Sequence, residues 1–379
     1  MTRKPIKIAY LSPSARMYGA RQSLLQLSTR LNPELYHPIV VCPRRGDLEE
    51  VLRKAGIQTH ILPLPPWGKG KSFIARIWRL QQLRRWVRSE GIELLHSNDF
   101  HANPYAVRAS QSLGIPTVVH LRLTITKRQI RNYLLQQAAR IICVSQGTAR
   151  DLEGRSDLSD KIDVVYNGLD FETFGKHAVE FDFRERIGAK PNDFIMAQVG
   201  LISERKQQHL AIEAFNQLAL SHPGLRLAIV GTVSPGSDDY LKRLEKSIRD
   251  SPTPERIHFV QFQENVAPVF AGIDLNLLLS NREGFGRVII EAGCLGKPTV
   301  GSRVGGIPEV IEDGETGVLV ECKDAETVAN AIAVLLRDPA HYNKLAQNVR
   351  QFVQKRFSIE THVAQIEKIY QELLAESGS

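Results

Sequence analysis

The chain of 379 residues lacks the features that would place it across a membrane or outside the cell. It has no run of about 18 uncharged apolar residues, so no transmembrane helix is expected. The N-terminus leads directly into the strand-like segment 6–11, without the apolar core and small-residue cleavage site of a signal peptide. Cysteines are few and far apart, which predicts buried, reduced thiols in a cytosolic protein and no metal site (Cys42, Cys143, Cys294, Cys322).

What the chain has in excess is positive charge, and that charge is unevenly distributed. The net charge is +8, with 42% apolar and 24% charged residues, an ordinary globular composition. Residues 1–190 carry 30 Lys and Arg against 17 Asp and Glu, whereas the remainder carries 19 against 24. The first half is therefore expected to meet an anionic partner, such as a phosphorylated acceptor, an anionic membrane surface or a nucleic acid.

Short apolar runs alternate with amphipathic segments along the whole chain. Most of these runs are continuous, which indicates strands buried on both faces of a parallel sheet. The length and this pattern predict an α/β protein with two doubly wound, Rossmann-like domains, 1–168 and 169–379. The periodicity is lost between Asn167 and about Asn192, which predicts an interdomain connection. A last helix is predicted at about 357–375.

The segment 277–292 has the pattern of a phosphate and sugar site. A buried strand ends at Ser280, a turn with two glycines follows, and a helix is predicted to begin near Gly286. This arrangement places backbone N–H groups and a positive helix end at the carboxyl edge of a parallel sheet, where a diphosphate binds well. Glu283 in the turn and Glu291 in the helix are suited to accept hydrogen bonds from hydroxyls of a sugar and a ribose.

A second turn with paired glycines, 301–309, is predicted to close on the same ligand. Together, Ser280-x-x-Glu283-Gly-Phe-Gly-x-x-x-x-Glu291, Gly296-Lys-Pro298, Gly305-Gly306-x-Pro308-Glu309 and Asp313-Gly-x-x-Gly317 resemble the signature of the family 4 retaining glycosyltransferases. The resemblance implies the GT-B architecture, with two Rossmann-like domains facing a cleft and a C-terminal helix crossing back to the N-terminal domain.

The resemblance also implies roles for individual residues. The C-terminal domain would hold the nucleotide sugar, with Glu283 on the transferred sugar and Glu291 on the ribose. The turn Gly284–Gly286, including Phe285, would offer backbone N–H groups to the phosphates.

A strand-to-helix turn earlier in the second half carries the cations for the leaving group. Lys206 matches the family's lysine, whereas Leu201 occupies the position of the family's arginine. Arg205 is the candidate to replace that arginine. Two cations directed at the diphosphate would stabilise the negative charge that develops on it.

Two positions in the first half match the family more thinly. Gly19 matches one of a pair of glycines over the diphosphate, but Tyr18 occupies the other position. His120 ends the strand-like segment 116–120 and matches a histidine near the reacting sugar. Its expected role is a hydrogen bond to a sugar hydroxyl or to the acceptor.

No Asp-x-Asp motif is present, so metal-independent transfer and no cofactor are expected, with charge stabilisation from Lys206, Arg205 and the helix start near Gly286. The resemblance implies retention of configuration, with His120, Lys206 and Glu283 as catalytic residues. The substrate would be a nucleoside diphosphate sugar, with a UDP-sugar favoured over a GDP-sugar.

The segment Trp67–Arg88 combines aromatic and basic residues at helical spacing and contains all three tryptophans. That composition favours an interfacial helix on anionic lipid, and the alternative is a domain helix packed by its apolar side chains. The protein is expected in the cytoplasm, peripheral at the inner face of the membrane, with a glycan or lipid-linked acceptor.

Three other functions remain open from the sequence. A nucleotide-sugar epimerase on the same fold would release its product without an acceptor. A non-enzymatic polyanion-binding protein would explain the basic half but not the turn with Glu283 and Glu291, and no nucleic acid is expected as a partner. A transferase-like protein without activity would explain Leu201 and Tyr18.

Overall fold

Parallel sheets with helices on both faces form the core of this protein. The computed structural model describes residues 4–17, 19–67, 73–261 and 265–377. Contacts divide the chain into two units, one containing the residues up to Gly168 together with Ile359–Ser379, the other Leu169–Ser358. Each unit has its own hydrophobic core.

The first unit has a sheet of seven described strands in the order β3-β2-β1-β4-β5-β6-β7, all parallel. The order reverses between β1 and β4, the doubly wound arrangement. The strands are β1 Ile6–Leu11, β2 Tyr36–Cys42, β3 Gln58–Ile61, β4 Leu94–Ser97, β5 Thr117–Leu121, β6 Arg140–Cys143 and β7 Ile162–Val164.

Helices cover both faces of this sheet. They are α1 Gly19–Ser28, α2 Asp47–Lys54, α3 Phe73–Glu90, α4 Asn103–Leu113, α5 Lys127–Asn132, α6 Gln146–Arg150 and the last helix of the chain, Ile359–Ser377. That last helix buries Ile366 and Tyr370 against Ile8, Tyr10 and α1, so it is part of the first unit's core. On the opposite face of the sheet, a second group of core residues, which includes Leu83, lies between the strands and the helices α3 and α4.

The second unit has a sheet of six described strands in the order β10-β9-β8-β11-β12-β13, again all parallel. The strands are β8 Phe194–Val199, β9 Leu225–Gly231, β10 Ile257–Gln261, β11 Leu275–Leu278, β12 Thr299–Ser302 and β13 Gly317–Val320. The helices are α7 Phe171–Lys176, α8 Phe183–Arg186, α9 Gln208–Ala219, α10 Asp238–Arg249, α11 Ala267–Gly272, α12 Arg287–Cys294, α13 Ile307–Val310, α14 Ala325–Arg337 and α15 Pro339–Arg356.

One expectation fails in the second unit. The segment after Asn167 is not only a connection, because it folds into α7 and α8. Phe183 is fully buried in the second core, where it packs with Phe270 of α11, and Asp182 caps α8 by accepting from two backbone N–H groups. Periodicity missed these helices because they are only six and four residues long, shorter than the repeat needs to register.

Among the described residues, no helix is both long and apolar enough to cross a membrane.

Candidate functional site

The reversal of strand order in the second sheet determines where its site lies. Strands β8 and β11 are neighbours, but the chain leaves them toward opposite sides of the sheet. In such sheets, ligands bind in the crevice at the carboxyl ends of these two strands. The segment after β8 carries Arg205 and Lys206, and the segment after β11 carries Glu283. Arg205 and Lys206 therefore meet Glu283 at this edge of the sheet, although Glu283 lies 78 and 77 positions further along the sequence.

A single carboxylate oxygen collects the polar contacts of this edge. Glu283 Oε2 lies 2.5 Å from Lys206 Nζ and 3.4 Å from Arg205 Nη1, and it accepts a hydrogen bond of 3.2 Å from Ser280 Oγ. The Lys206 and Glu283 side chains are mostly buried, whereas Arg205 is about one third exposed. We call Arg205, Lys206 and Glu283 the switch-point cluster.

Burial and charge act in opposite directions on this cluster. Burial opposes ionisation of the Glu283 carboxyl, but the charges of Lys206 and Arg205 and the hydrogen bonds from Lys206 and Ser280 hold its pKa below the ordinary value. Burial, with the nearby Arg205 charge, lowers the pKa of Lys206, while Glu283 opposes that shift. The carboxylate is therefore ionised at neutral pH and compensates two cations at a buried edge.

The cluster retains polar atoms that the protein does not use. Within the described part of the chain, the Lys206 ammonium makes one hydrogen bond, leaving two N–H groups, and Arg205 uses only Nη1. Glu283 Oε1 accepts no hydrogen bond from these residues, since all three donors reach Oε2. Unused charged donors and an unused acceptor at a switch point are suited to bind an anion and a hydroxyl group together.

Hydrogen bonds to backbone carbonyls hold the cluster in place. The Gln198 side chain, on β8, donates a hydrogen bond of 2.5 Å from Nε2 to the Lys206 carbonyl, and the Asn281 backbone N–H donates one of 2.9 Å to the Arg205 carbonyl. Gln207, which follows Lys206, has a φ of 50°, a left-handed conformation that residues with a side chain rarely adopt. A strained residue beside two cations is typical of functional sites.

The two glycine turns pack on each other, whereas their closing on one ligand stays a prediction. Gly286 has a φ of 95° and caps α12, so the helix begins where it was expected. A Cβ atom on Gly305 would lie 1.8 Å from the Glu283 carbonyl oxygen, and the Gly306 amide donates 3.2 Å to that same oxygen. Only glycine at 305 allows the second turn to approach the first this closely.

Glu291 lies on the second turn of α12 and is mostly buried, but it is not alone. Arg287, one turn earlier, donates to Glu291 Oε1 from Nε at 3.3 Å and from Nη2 at 3.0 Å. Sequence reasoning missed this partner, although the spacing of four residues on a helix signals such a pair. Glu291 Oε2 accepts no hydrogen bond from the described residues.

The Gly-Phe-Gly turn can reach a ligand only through its backbone. The Phe285 side chain is buried and packs edge-to-face on Phe357, with ring centroids 5.5 Å apart. Gly284 and Gly286 are buried beside it. The proposed role of Gly284, Phe285 and Gly286 as backbone donors to phosphate stays a prediction.

His120 belongs to a buried polar network in the first unit. Its Nδ1 lies 3.2 Å from Arg122 Nη2, and its ring is 5.5 Å from that of His96 between centroids. Burial, together with the nearby Arg122, lowers the pKa of His120 far below the ordinary value, so the imidazole is neutral at pH 7. His120 Nε2 has no hydrogen-bond partner among the described residues.

Arg122 is the residue of the first unit that sequence reasoning did not single out. It donates to the carbonyl and side-chain oxygens of Asn98 and to Asn167 Oδ1, all within 3.0 Å. A charged residue directly after a buried strand was the available signal.

Gly19 begins α1, and its carbonyl accepts a hydrogen bond from Ser23. The roles of Gly19 and His120 stay predictions.

Several predicted positions have no side chain at the cluster or lie outside the described residues. Leu201 is half-buried, and its carbonyl accepts a hydrogen bond of 2.9 Å from Gln208 Nε2. Its side chain is uncharged, so it supplies no cation in place of the family's arginine. Residues outside the described ranges include Tyr18, Lys69 and Lys71. In the part of the chain that is described, no three His, Cys, Asp or Glu side chains form a group able to hold a metal ion.

Comparison with known proteins gives two family matches that together cover most of the chain. Residues 179–352 match the family described as glycosyl transferases group 1. Residues 17–173 match glycosyltransferase family 4. The two matched ranges correspond to the second and first sheets, and the switch-point cluster lies within the first of these matches.

Individual relatives agree with the family matches. The chain is 28% identical to N-acetyl-alpha-D-glucosaminyl L-malate synthase of Bacillus anthracis over 75% of this chain and 76% of that protein. It is 23% identical to an Escherichia coli UDP-Gal:alpha-D-GlcNAc-diphosphoundecaprenol alpha-1,3-galactosyltransferase over 97% of both. Its fold matches the HepE protein of Anabaena, solved with UDP and glucose, with a TM-score of 0.85 and 24% identity over 97% of this chain and 100% of that one.

Proposed function

Since the chain belongs to the family 4, group 1 glycosyltransferases and its two units have their GT-B fold, we propose that it transfers a sugar from a nucleoside diphosphate sugar to an acceptor hydroxyl. The observation that carries this proposal is the switch-point cluster. Two cations and a carboxylate share one buried edge, and each retains atoms for a ligand. An anion beside hydroxyl groups is the chemistry of a sugar diphosphate.

The proposed donor pose assigns one part of the ligand to each group. Lys206 and Arg205 bind the diphosphate with their unused N–H groups, helped by the turn before α12. Glu283 Oε1 accepts from a hydroxyl of the transferred sugar, and Glu291 Oε2 accepts from the ribose. UDP is the proposed nucleotide, because a fold relative was solved with UDP and a sequence relative is named for a UDP-sugar.

We propose that transfer retains the anomeric configuration. The bond between the sugar's anomeric carbon and the diphosphate oxygen breaks, and a bond to the acceptor oxygen forms on the same face. The acceptor's proton passes to the leaving phosphate oxygen, so charge and atoms balance. Lys206 and Arg205 stabilise the negative charge on the leaving diphosphate, a contribution of about 10²–10³ in rate for a single well-placed donor.

Glu283 is proposed as a binding residue and not as a nucleophile. Its Oε2 accepts from three donors, and its lowered pKa reflects a carboxylate stabilised as an anion, which makes it a poor attacking group. Mass spectrometry of the protein after mixing with donor tests this. A covalent sugar adduct in the wild type that is absent in Glu283→Gln would contradict the assignment.

Stabilisation of the leaving diphosphate is proposed to need no divalent metal, because Lys206 and Arg205 would supply positive charge there in the proposed donor pose. Turnover in excess EDTA should therefore equal turnover with Mg²⁺. Activity that is lost in EDTA and restored by Mg²⁺ or Mn²⁺ would refute this part.

The acceptor is proposed to be the hydroxyl of a glycan or a lipid-linked sugar, with a hexose-type sugar transferred. The support is the excess of positive charge in the first half of the chain and an Escherichia coli relative whose name describes a diphosphoundecaprenol-linked acceptor. His120 is proposed on the acceptor side, where a neutral imidazole can share a hydrogen bond with a hydroxyl.

Calorimetry with UDP, GDP and ADP tests the donor site, followed by a panel of nucleotide sugars with products separated by chromatography. We expect UDP to bind more tightly than GDP or ADP, and slow release of free sugar and UDP from one UDP-sugar. Conversion to an isomeric nucleotide sugar without UDP release would instead identify an epimerase. Absence of binding by every nucleotide would reject the proposal.

A further inference from the structure

Helix α3 is anchored by one face and leaves a second apolar face in solvent. Leu80, Leu83 and Val87 are buried in the first unit's core. Phe73, Ile74, Ile77 and Trp78 are 64%, 83%, 46% and 54% exposed, respectively. We call these four residues the α3 apolar patch. The residues at the N-terminal end of the helix are therefore not packing residues of the domain, although their composition alone permits that reading.

The spacing of the patch places it on one continuous face. Its members are separated by one, three and four residues, which in a helix of 3.6 residues per turn makes a single stripe over the first two turns. The stripe continues along the helix as Gln81, Arg85 and Arg88, all exposed. One solvent face of α3 is thus apolar at its start and cationic at its end.

The cations beside the patch are not neutralised by the protein. Arg85 and Arg88 make no ion pair with any described residue. The acidic residue of α3, Glu90, is paired with Lys7 at 3.4 Å. Arg79 lies over the Trp78 ring, 4.4 Å from its centroid, so a positive charge is held directly at the apolar stripe.

From these observations we propose that α3 is the surface by which the protein docks on an anionic phospholipid bilayer. The apolar patch enters the interface between headgroups and acyl chains, and Arg79, Arg85 and Arg88 contact lipid phosphates. An exposed Trp beside arginines is suited to that boundary, where the ring meets acyl chains and the charge meets headgroups. Binding to a soluble protein would not require an exposed Trp and Ile stripe to lie beside arginines only, whereas binding to an anionic bilayer does.

The docking surface goes beyond the proposed transfer reaction and does not depend on it. The patch is in the first unit, whereas the switch-point cluster is in the second. Substitutions in the patch should therefore leave nucleotide binding unchanged. The proposal of lipid docking and the proposal of sugar transfer can each fail without the other.

Vesicle flotation of the full chain tests the proposal. Vesicles of phosphatidylcholine alone are compared with vesicles containing about one quarter phosphatidylglycerol, at about 0.05 M and about 0.5 M salt. We expect binding to the anionic vesicles at low salt, weakened at high salt and weak or absent on neutral vesicles. Absence of binding to anionic vesicles at low salt overturns the proposal, as does equally strong binding to neutral ones.

Two double variants test the two halves of the surface. Arg85→Glu with Arg88→Glu should lower the affinity for anionic vesicles by about 25-fold or more, since each basic charge contributes about five-fold. Ile74→Asn with Trp78→Asn should lower it at least about ten-fold by removing inserted apolar area. All four side chains are exposed, so the fold should survive, and UDP titration and thermal unfolding check that it does.

Matched controls change the same chemistry elsewhere. Val179→Asn with Leu220→Asn removes two apolar side chains that are as exposed as those of the patch, and Lys242→Glu with Lys246→Glu reverses two exposed charges. Both controls should bind vesicles like the wild type. Equal losses in controls and patch variants contradict the proposal. So does self-association in sedimentation that disappears in Ile74→Asn with Trp78→Asn, because a second copy would then cover the patch.

Discussion

Replacing Lys206 by methionine removes one cation from the switch-point cluster while nearly preserving the side chain's volume. The ammonium lies 2.5 Å from Glu283 and is mostly buried, and two of its N–H groups have no partner among the described residues. If those groups bind the diphosphate, the loss is that of hydrogen bonds between charged groups, about 1.5–3 kcal/mol. The dissociation constant for UDP should therefore rise about 10- to 150-fold.

The same substitution should affect turnover more than binding. The charge on the diphosphate grows as the sugar leaves, so the cation contributes most in the transition state, and we expect a loss of about 10²–10³ in turnover. Calorimetry gives the binding loss, and release of UDP from the donor gives the rate.

Lys344→Met is the matched control, because Lys344 is in the same unit and paired with a carboxylate, but it is exposed. It should leave UDP affinity and turnover unchanged. A Lys206→Met protein that is folded and binds UDP within about two-fold of the wild type would refute the assignment of Lys206 to the diphosphate.

Three further predictions concern neighbouring groups. The pKa of Glu283 lies below its ordinary value of 4.5, so its ionised form stabilises the fold above that pH and the contribution is lost as the pH falls through the folded-state pKa. Glu283→Gln should therefore destabilise by about 3 kcal/mol at pH 7 and flatten the acid side of the stability curve in urea unfolding; a curve parallel to the wild type's would contradict this. Glu291→Ala should weaken UDP about ten-fold but leave inorganic pyrophosphate unaffected, because pyrophosphate has no ribose; equal losses for both ligands would remove Glu291 from the ribose. Gly305→Ala should lower the free energy of unfolding by about 2–4 kcal/mol, because the added Cβ would collide with the Glu283 carbonyl. The control Gly314→Ala, at a positive φ in open space, should lower it by only about 1 kcal/mol. If thermal unfolding shows similar losses for both variants, the contact with Glu283 is not what requires glycine at 305.

The strands could be predicted almost completely, because buried parallel strands appear as continuous apolar runs. β1 has the bounds of the strand-like segment 6–11, β5 begins and ends one residue later than the segment 116–120, and the family and fold implied by the motifs are confirmed. The short helices α7 and α8 could not be found this way, because four to six residues contain too little of the helical repeat.

The residues of the switch-point cluster could be named as candidates from the sequence, but their contacts could not. That the segments after β8 and β11 lie together depends on strand order, which periodicity does not reveal. The motifs therefore identify Lys206 and Glu283 as candidates without indicating that they touch. In α3, the composition indicates an amphipathic helix, but only the packing shows that Leu83 is buried and Trp78 exposed.

A crystal structure of the full chain with a UDP-sugar would locate the diphosphate relative to the switch-point cluster. We expect a phosphate oxygen about 3 Å from Lys206 Nζ, with a sugar hydroxyl on Glu283 and the ribose on Glu291. A diphosphate bound elsewhere, with Lys206 contacting only Glu283, would contradict it.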